Sequence, residues 1–142
     1  MPLSLRLNNL WIVVLLALLP TVATAQNTFP QKDGESVRYN IQIEFREAYI
    51  SGLCILSKQN DTIASSIVNE FGISLIDFVD DNHKGKVRIC HITQKLNRWY
   101  IKRIFAKDLK EVLTVMQSGG NEFVDKKYKL KYTFSLNDGF KE

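Results

Sequence analysis

Several residues near the middle of the chain carry the side chains of catalysis. Cys90 and His91 are adjacent, the types a cysteine hydrolase uses as nucleophile and base. In a regular strand, though, neighbouring side chains leave on opposite faces, so the two are not expected to meet. The other histidine, His83, falls in a turn. Asp77, Asp80, Asp81 and His83 supply the oxygens and imidazole a divalent metal takes. Their spacing lacks the regular ligand order of a calcium loop, and Asp, Asn and Gly are what a tight turn requires. No glycine-rich phosphate loop, H-E-x-x-H or G-x-S-x-G occurs. The sequence predicts no enzyme, no metal and no cofactor. A hydrolase, with Asp77 and His91 in one polar cleft, is the least favoured alternative.

Binding chemistry has more to work with. Lys127, Lys129 and Lys131 alternate along a late strand, and Arg98, Lys102, Arg103 and Lys107 stud a helix-like stretch. Basic residues beside an anionic membrane each gain on the order of 1 kcal/mol. The plainer reading is a solvated face, and lysines also protect sheet edges. Apolar surplus is the stronger signal. Tyr49, Leu53 and Ile55 fall on one face of a strand while Ile50, Cys54 and Leu56 fall on the other, so both faces need cover or one meets a cavity. Trp99 and Tyr100 add bulk at the head of the helix.

The elements that position these residues begin after a targeting signal. Arg6, the apolar run Leu10 to Leu19, Pro20 and the small residues Ala23-Thr24-Ala25 follow the order of a secretory signal peptide cut near Ala25. The run of about ten residues is half the roughly 20 that a spanning helix needs. Of 142 residues, 117 follow Ala25, enough for one domain with one core. Removing Arg6 leaves 18 basic and 15 acidic residues, a net charge of +3. That mild balance, with export, argues against nucleic acid. In an oxidising compartment Cys54 and Cys90 either pair as one disulfide or remain two thiols.

Residues 26–36 read as a flexible leader. Val37, Tyr39, Ile41, Ile43 and Phe45 alternate with polar residues, the period-two pattern of a half-buried strand. Strands are expected at 49–56, bent at Gly52, at 62–71, at 73–79 and at 86–93, joined by polar turns as an antiparallel meander. The period then becomes helical through Ile101, Ile104, Phe105, Leu109, Val112, Leu113 and Met116. Asp108 interrupts this stripe, and with Glu111 three residues on it has the form of a capping box. The spacing predicts helices over 97–106 and 109–117, or one helix kinked at Asp108. A one-faced strand around 128–134 closes the domain, and 135–142 is a polar tail. The fold class is α+β: one domain over 37–134, a curved antiparallel sheet with a helical segment across its concave face.

Gly52-Leu53-Cys54-Ile55-Leu56, then Asp61-Thr62-Ile63, then Asn69-Glu70-Phe71-Gly72-Ile73-Ser74-Leu75 resemble the strand–turn–strand core of the LolA/LolB-like proteins of the bacterial envelope. Lys107 to Leu113 is similar to a segment of exported bacterial proteins of the same look. The resemblance spans about half of the mature chain. It implies an unclosed half-barrel with a helical lid, holding acyl chains in a periplasmic cavity. The chain is shorter than those carriers and lacks the receptor branch's acylated N-terminal cysteine. Together these features make a periplasmic lipid- or lipoprotein-acyl-binding protein without catalysis the leading expectation. Ile41, Ile43, Phe45, Leu53, Ile55, Phe71, Phe78, Ile101, Ile104 and Phe105 are the expected cavity lining. The expected partners are a hydrophobic acyl ligand or lipoprotein, an envelope protein, and peripherally an anionic membrane. The runner-up is a small envelope protein–protein interaction module with a filled core.

Overall fold

A computed structural model describes residues 27–137; the expected signal peptide and the last residues of the expected tail lie outside that range. Seven strands form one antiparallel sheet: β1 (Ser36–Phe45), β2 (Ala48–Gln59), β3 (Thr62–Val68), β4 (Ser74–Asp81), β5 (Lys86–Ile92), β6 (Glu122–Asp125) and β7 (Leu130–Leu136). Their order is β5-β4-β3-β2-β1-β7-β6. A 3-10 turn, Gln94–Leu96, leads into the single α-helix, α1 (Trp99–Gln117). The sheet curls into a half-barrel and α1 packs against it, touching both edge strands, β5 and β6.

The period-two pattern holds through the body of the strands, while Phe45 and Tyr128 at its ends are exposed. Val37, Tyr39, Ile41 and Ile43 of β1 are buried, as are Ile63 and Ile67 of β3, Ile76 and Phe78 of β4, and Leu130, Tyr132 and Phe134 of β7. The register sets the inward face of β2, because Tyr39 stands opposite Cys54 and Val37 opposite Leu56. Ile50, Gly52, Cys54 and Leu56 therefore face the helix.

Gly52 is needed there for space. A Cβ at this position would lie 2.2 Å from the Val68 carbonyl oxygen, where the β3–β4 pairing shifts register between Ile67 and Val68. The bend expected at this glycine is thus a close approach of two strands.

Three expectations change. First, α1 runs unbroken through Asp108, which lies buried within the apolar stripe rather than capping a second helix. Its carboxylate has partners on the sheet, described below, so the helix has no reason to stop. Second, β6 is an additional strand; Glu-Phe-Val-Asp is too short to show a period. Third, the leader residues of the described range are tied down. Phe29 and Pro30 are buried, the Tyr39 hydroxyl donates to the Thr28 carbonyl, and Gly34 and Glu35 exchange backbone bonds with Lys58.

Gly52→Ala should overpack the β2–β3 contact and lower stability by about 1–3 kcal/mol. Denaturant unfolding of the variant beside the parent checks this.

Candidate functional site

The concave face is filled by α1. Phe105, Leu109, Val112, Leu113 and Met116 are buried against the inward residues of the sheet. Two polar contacts pin the helix to opposite halves of that sheet. On one side Lys110 Nζ donates to both carboxylate oxygens of buried Asp80 on β4, at 2.9 and 3.1 Å. On the other, the Tyr132 hydroxyl of β7 donates to Asp108 Oδ2 at 2.8 Å.

Asp108 also shares a hydrogen bond with Asp125, at the end of β6. Burial, then this carboxylate neighbour, pushes Asp108 from the usual 3.8 up to about 7, against the opposing effects of the Tyr132 hydroxyl and Lys107. Burial acts in the same upward sense on Asp125, but the Asp108 bond and the backbone N–H groups of Tyr128 and Lys127 outweigh it and hold it low. The proton of the pair therefore resides on Asp108. Burial and the nearby Asp108 charge also raise the Tyr132 hydroxyl, so it stays a donor.

The residues expected to line a cavity do not share one wall. Ile41, Ile43, Phe78 and Phe105 are core, and Ile101 and Ile104 pack beside them. Leu53 and Ile55 lie on the convex face, opposite Asn40 and Arg38 of β1. Phe45 and Phe71 are exposed. Two shallow hollows of about 170 and 280 Å³ flank edge strand β5, below the roughly 300 Å³ at which ligand pockets begin. The two cysteines do not pair. Cys54 faces inward on β2 and Cys90 is exposed on β5, three strands away, and both are free.

Cys90 and His91 do not leave on the opposite faces expected of a regular strand. Phe78 pairs with Ile89 and Asp77 with His91, so Cys90 is the extra residue of a bulge. Ile89 and Ile92 both turn towards the core, and Cys90 and His91 are both exposed. Asp77 shares His91's face, yet its carboxylate takes the hydroxyls of Ser66 and Ser74, at 2.5 and 2.6 Å. The Cys90 thiol donates to the Arg88 carbonyl, at 3.9 Å. Among the described residues no three His, Cys, Asp or Glu groups come close enough to hold a metal.

The site that sequence reasoning missed is one end of the half-barrel. Chain direction places four connections there: the β1–β2 hairpin, the β3–β4 turn, the start of α1 after β5, and the β6–β7 turn. They are stepped, since Val68, the last paired residue of β3, is level with Leu53 within β2. Every exposed large apolar residue among the described ones sits at this end: Phe45, Tyr49, Phe71, Ile73, Trp99, Tyr100, Val124 and Tyr128. Phe71, Trp99 and Tyr49 are 78, 72 and 68 % exposed. Trp99 and Tyr100 stack edge to face at 5.7 Å. Arg46 lies over the Phe45 ring and Lys127 over Tyr128, at 5.4 and 5.3 Å. The opposite end carries Asn60-Asp61, Asn82-His83-Lys84-Gly85 and Ser118-Gly119-Gly120-Asn121, beside the leader with its buried Phe29, and none of the exposed large apolar residues lies there.

Two outcomes follow from these placements. Asp108 has a folded pKa above its unfolded value, so its contribution is complete below about pH 4 and is lost as pH rises through about 7. Melting temperature should fall across that window in the parent. Asp108→Asn, whose amide can donate to Asp125 and accept from Tyr132, should flatten the fall and exceed the parent above neutrality. For the thiols, alkylation of the folded protein should label Cys90 alone. Cys54 is buried and its thiol is pushed up to about 12 by that burial, so mass spectrometry should find it modified only after unfolding. No protein-family model, curated protein or solved structure matches this chain.

Proposed function

We propose that this chain is a small non-catalytic docking module that binds through the aromatic end of its half-barrel. One observation carries the reading: of the eight exposed large apolar side chains, seven come from four separate connections and Val124 from β6 beside them, and all gather at a single end. Isolated exposed apolar residues are ordinary, whereas a concentrated patch marks a binding face. The occupied concave face favours this over storage of an acyl chain inside the fold. Residues 1–25 supply the proposed location, outside the cytosol. Among the described residues no helix is long and apolar enough to cross a membrane.

In-cell photocrosslinking tests the reading. A benzophenone side chain in place of Phe71 should give a heavier adduct on irradiation, to lipid or to protein. The same group in place of His83, at the polar end, should give none. Adducts from neither position, or equally from both, would overturn it.

A further inference from the structure

The charges around the aromatic end identify a partner, on the premise that this end is the docking face. The four connections, taken as 45–49, 69–73, 93–103 and 126–129, hold eight basic residues: Arg46, Lys95, Arg98, Lys102, Arg103, Lys126, Lys127 and Lys129. They hold two acidic ones, Glu47 and Glu70. The surplus of six exceeds the whole chain's net charge of +4, so the remainder of the protein is net negative. The charge is therefore concentrated where the apolar side chains are.

Aromatic residues and cations in one surface are the chemistry of a bilayer interface. Trp and Tyr settle at headgroup depth, where a ring meets apolar carbon and its polar atom meets water. Lys and Arg beside them gain from anionic headgroups. Trp99 and Tyr100 occupy the first turn of α1, next to Arg98, Lys102 and Arg103.

The backbone adds a separate observation. Arg46 and Lys129 hold φ of 54° and 58°, a region that glycine enters without penalty and a long side chain does not. Both lie in tight turns of this end, where a glycine would serve the fold as well. Their side chains are thus not explained by the turns they occupy.

We propose that this end docks on an anionic phospholipid bilayer, inserting Tyr49, Phe71 and Trp99 to headgroup depth while the surrounding Arg and Lys side chains pair with phosphate groups. The docking is peripheral and needs no cavity.

The test uses the protein as its cell matures it, in a Trp11→Phe background, so that Trp99 alone reports by fluorescence. Vesicles of phosphatidylcholine with phosphatidylglycerol should sediment the protein and shift Trp99 emission to the blue. Pure phosphatidylcholine vesicles should bind it at least about tenfold more weakly, and added salt should release it. Phe71→Ser should lose most of the emission shift. Arg46→Gly with Lys129→Gly should weaken binding roughly tenfold or more while thermal stability holds or rises, which separates lost binding from lost fold. Equal binding to neutral and anionic vesicles, or binding indifferent to these substitutions, would overturn the proposal. Absence of vesicle binding alongside a protein adduct at position 71 would overturn the bilayer and leave the docking reading standing. No vesicle binding and no adduct at position 71 would remove both.

Discussion

A single curled sheet has one inner face to hide and, in this chain, one helix to hide it with. Everything else depends on how well α1 fits that space. Its apolar stripe supplies the volume, but a stripe of Leu, Val and Met can slide along a concave surface at little cost. The two polar pins remove that freedom. Lys110 reaches Asp80 on β4, and Asp108 reaches Tyr132 and Asp125 on the far side. A shift of one helical residue would strand Asp80 on one half of the sheet and the helix's own Asp108 against the other, and a buried polar group without a partner costs about 1–3 kcal/mol. The pins therefore fix the helix in rotation and in translation together, from residues only two apart in the sequence.

Much of this was legible in the chain. Period-two alternation located β1 and β7, apolar runs between polar turns located β2 to β5, each to within a few residues, and the helical period located α1; only β6 escaped. The class of fold followed from that order. Asp108 misled because a carboxylate in an apolar stripe looks like a boundary. Only the tertiary partner, Tyr132, twenty-four residues on, makes it an interior residue. Cys90 and His91 misled for a local reason. One extra residue in β5 turns the alternation off by a step, and nothing in Lys-Val-Arg-Ile-Cys-His-Ile announces where it enters. Strand β2 looked apolar on both faces because Leu53 and Ile55 are half-buried on the convex side. That is partial shelter beside Asn40, Val68, Arg38 and Ser66.

The aromatic end was hidden for a different cause. Hydrophobic residues in a pattern read as core, and on that basis the sequence places Phe45 and Phe71 in a cavity. What separates them from Ile43 or Phe78 is where the chain turns. Strands of an antiparallel meander put alternate connections at alternate ends. Residues as far apart in sequence as Phe45 and Tyr128 are thereby brought to one rim, while the polar turns between them go to the other. That sorting is a property of topology, and no window along the sequence contains it.

Core and rim are not fully independent, and Asp125 is where they touch. Its Oδ1 accepts the backbone N–H groups of Lys127 and Tyr128, at 3.0 and 3.1 Å, and so shapes the β6–β7 turn that presents those two side chains. It also shares the proton that Asp108 keeps in the buried pair. The groups that face this pair are Tyr132 from β7 and Lys107 from the helix. Ionising Asp108 would set two carboxylates against each other at the junction of helix and rim turn, and β6, only four residues long, is the element with least sheet to hold it in place. The same pair that registers the helix thus also braces one of the four connections at the aromatic end.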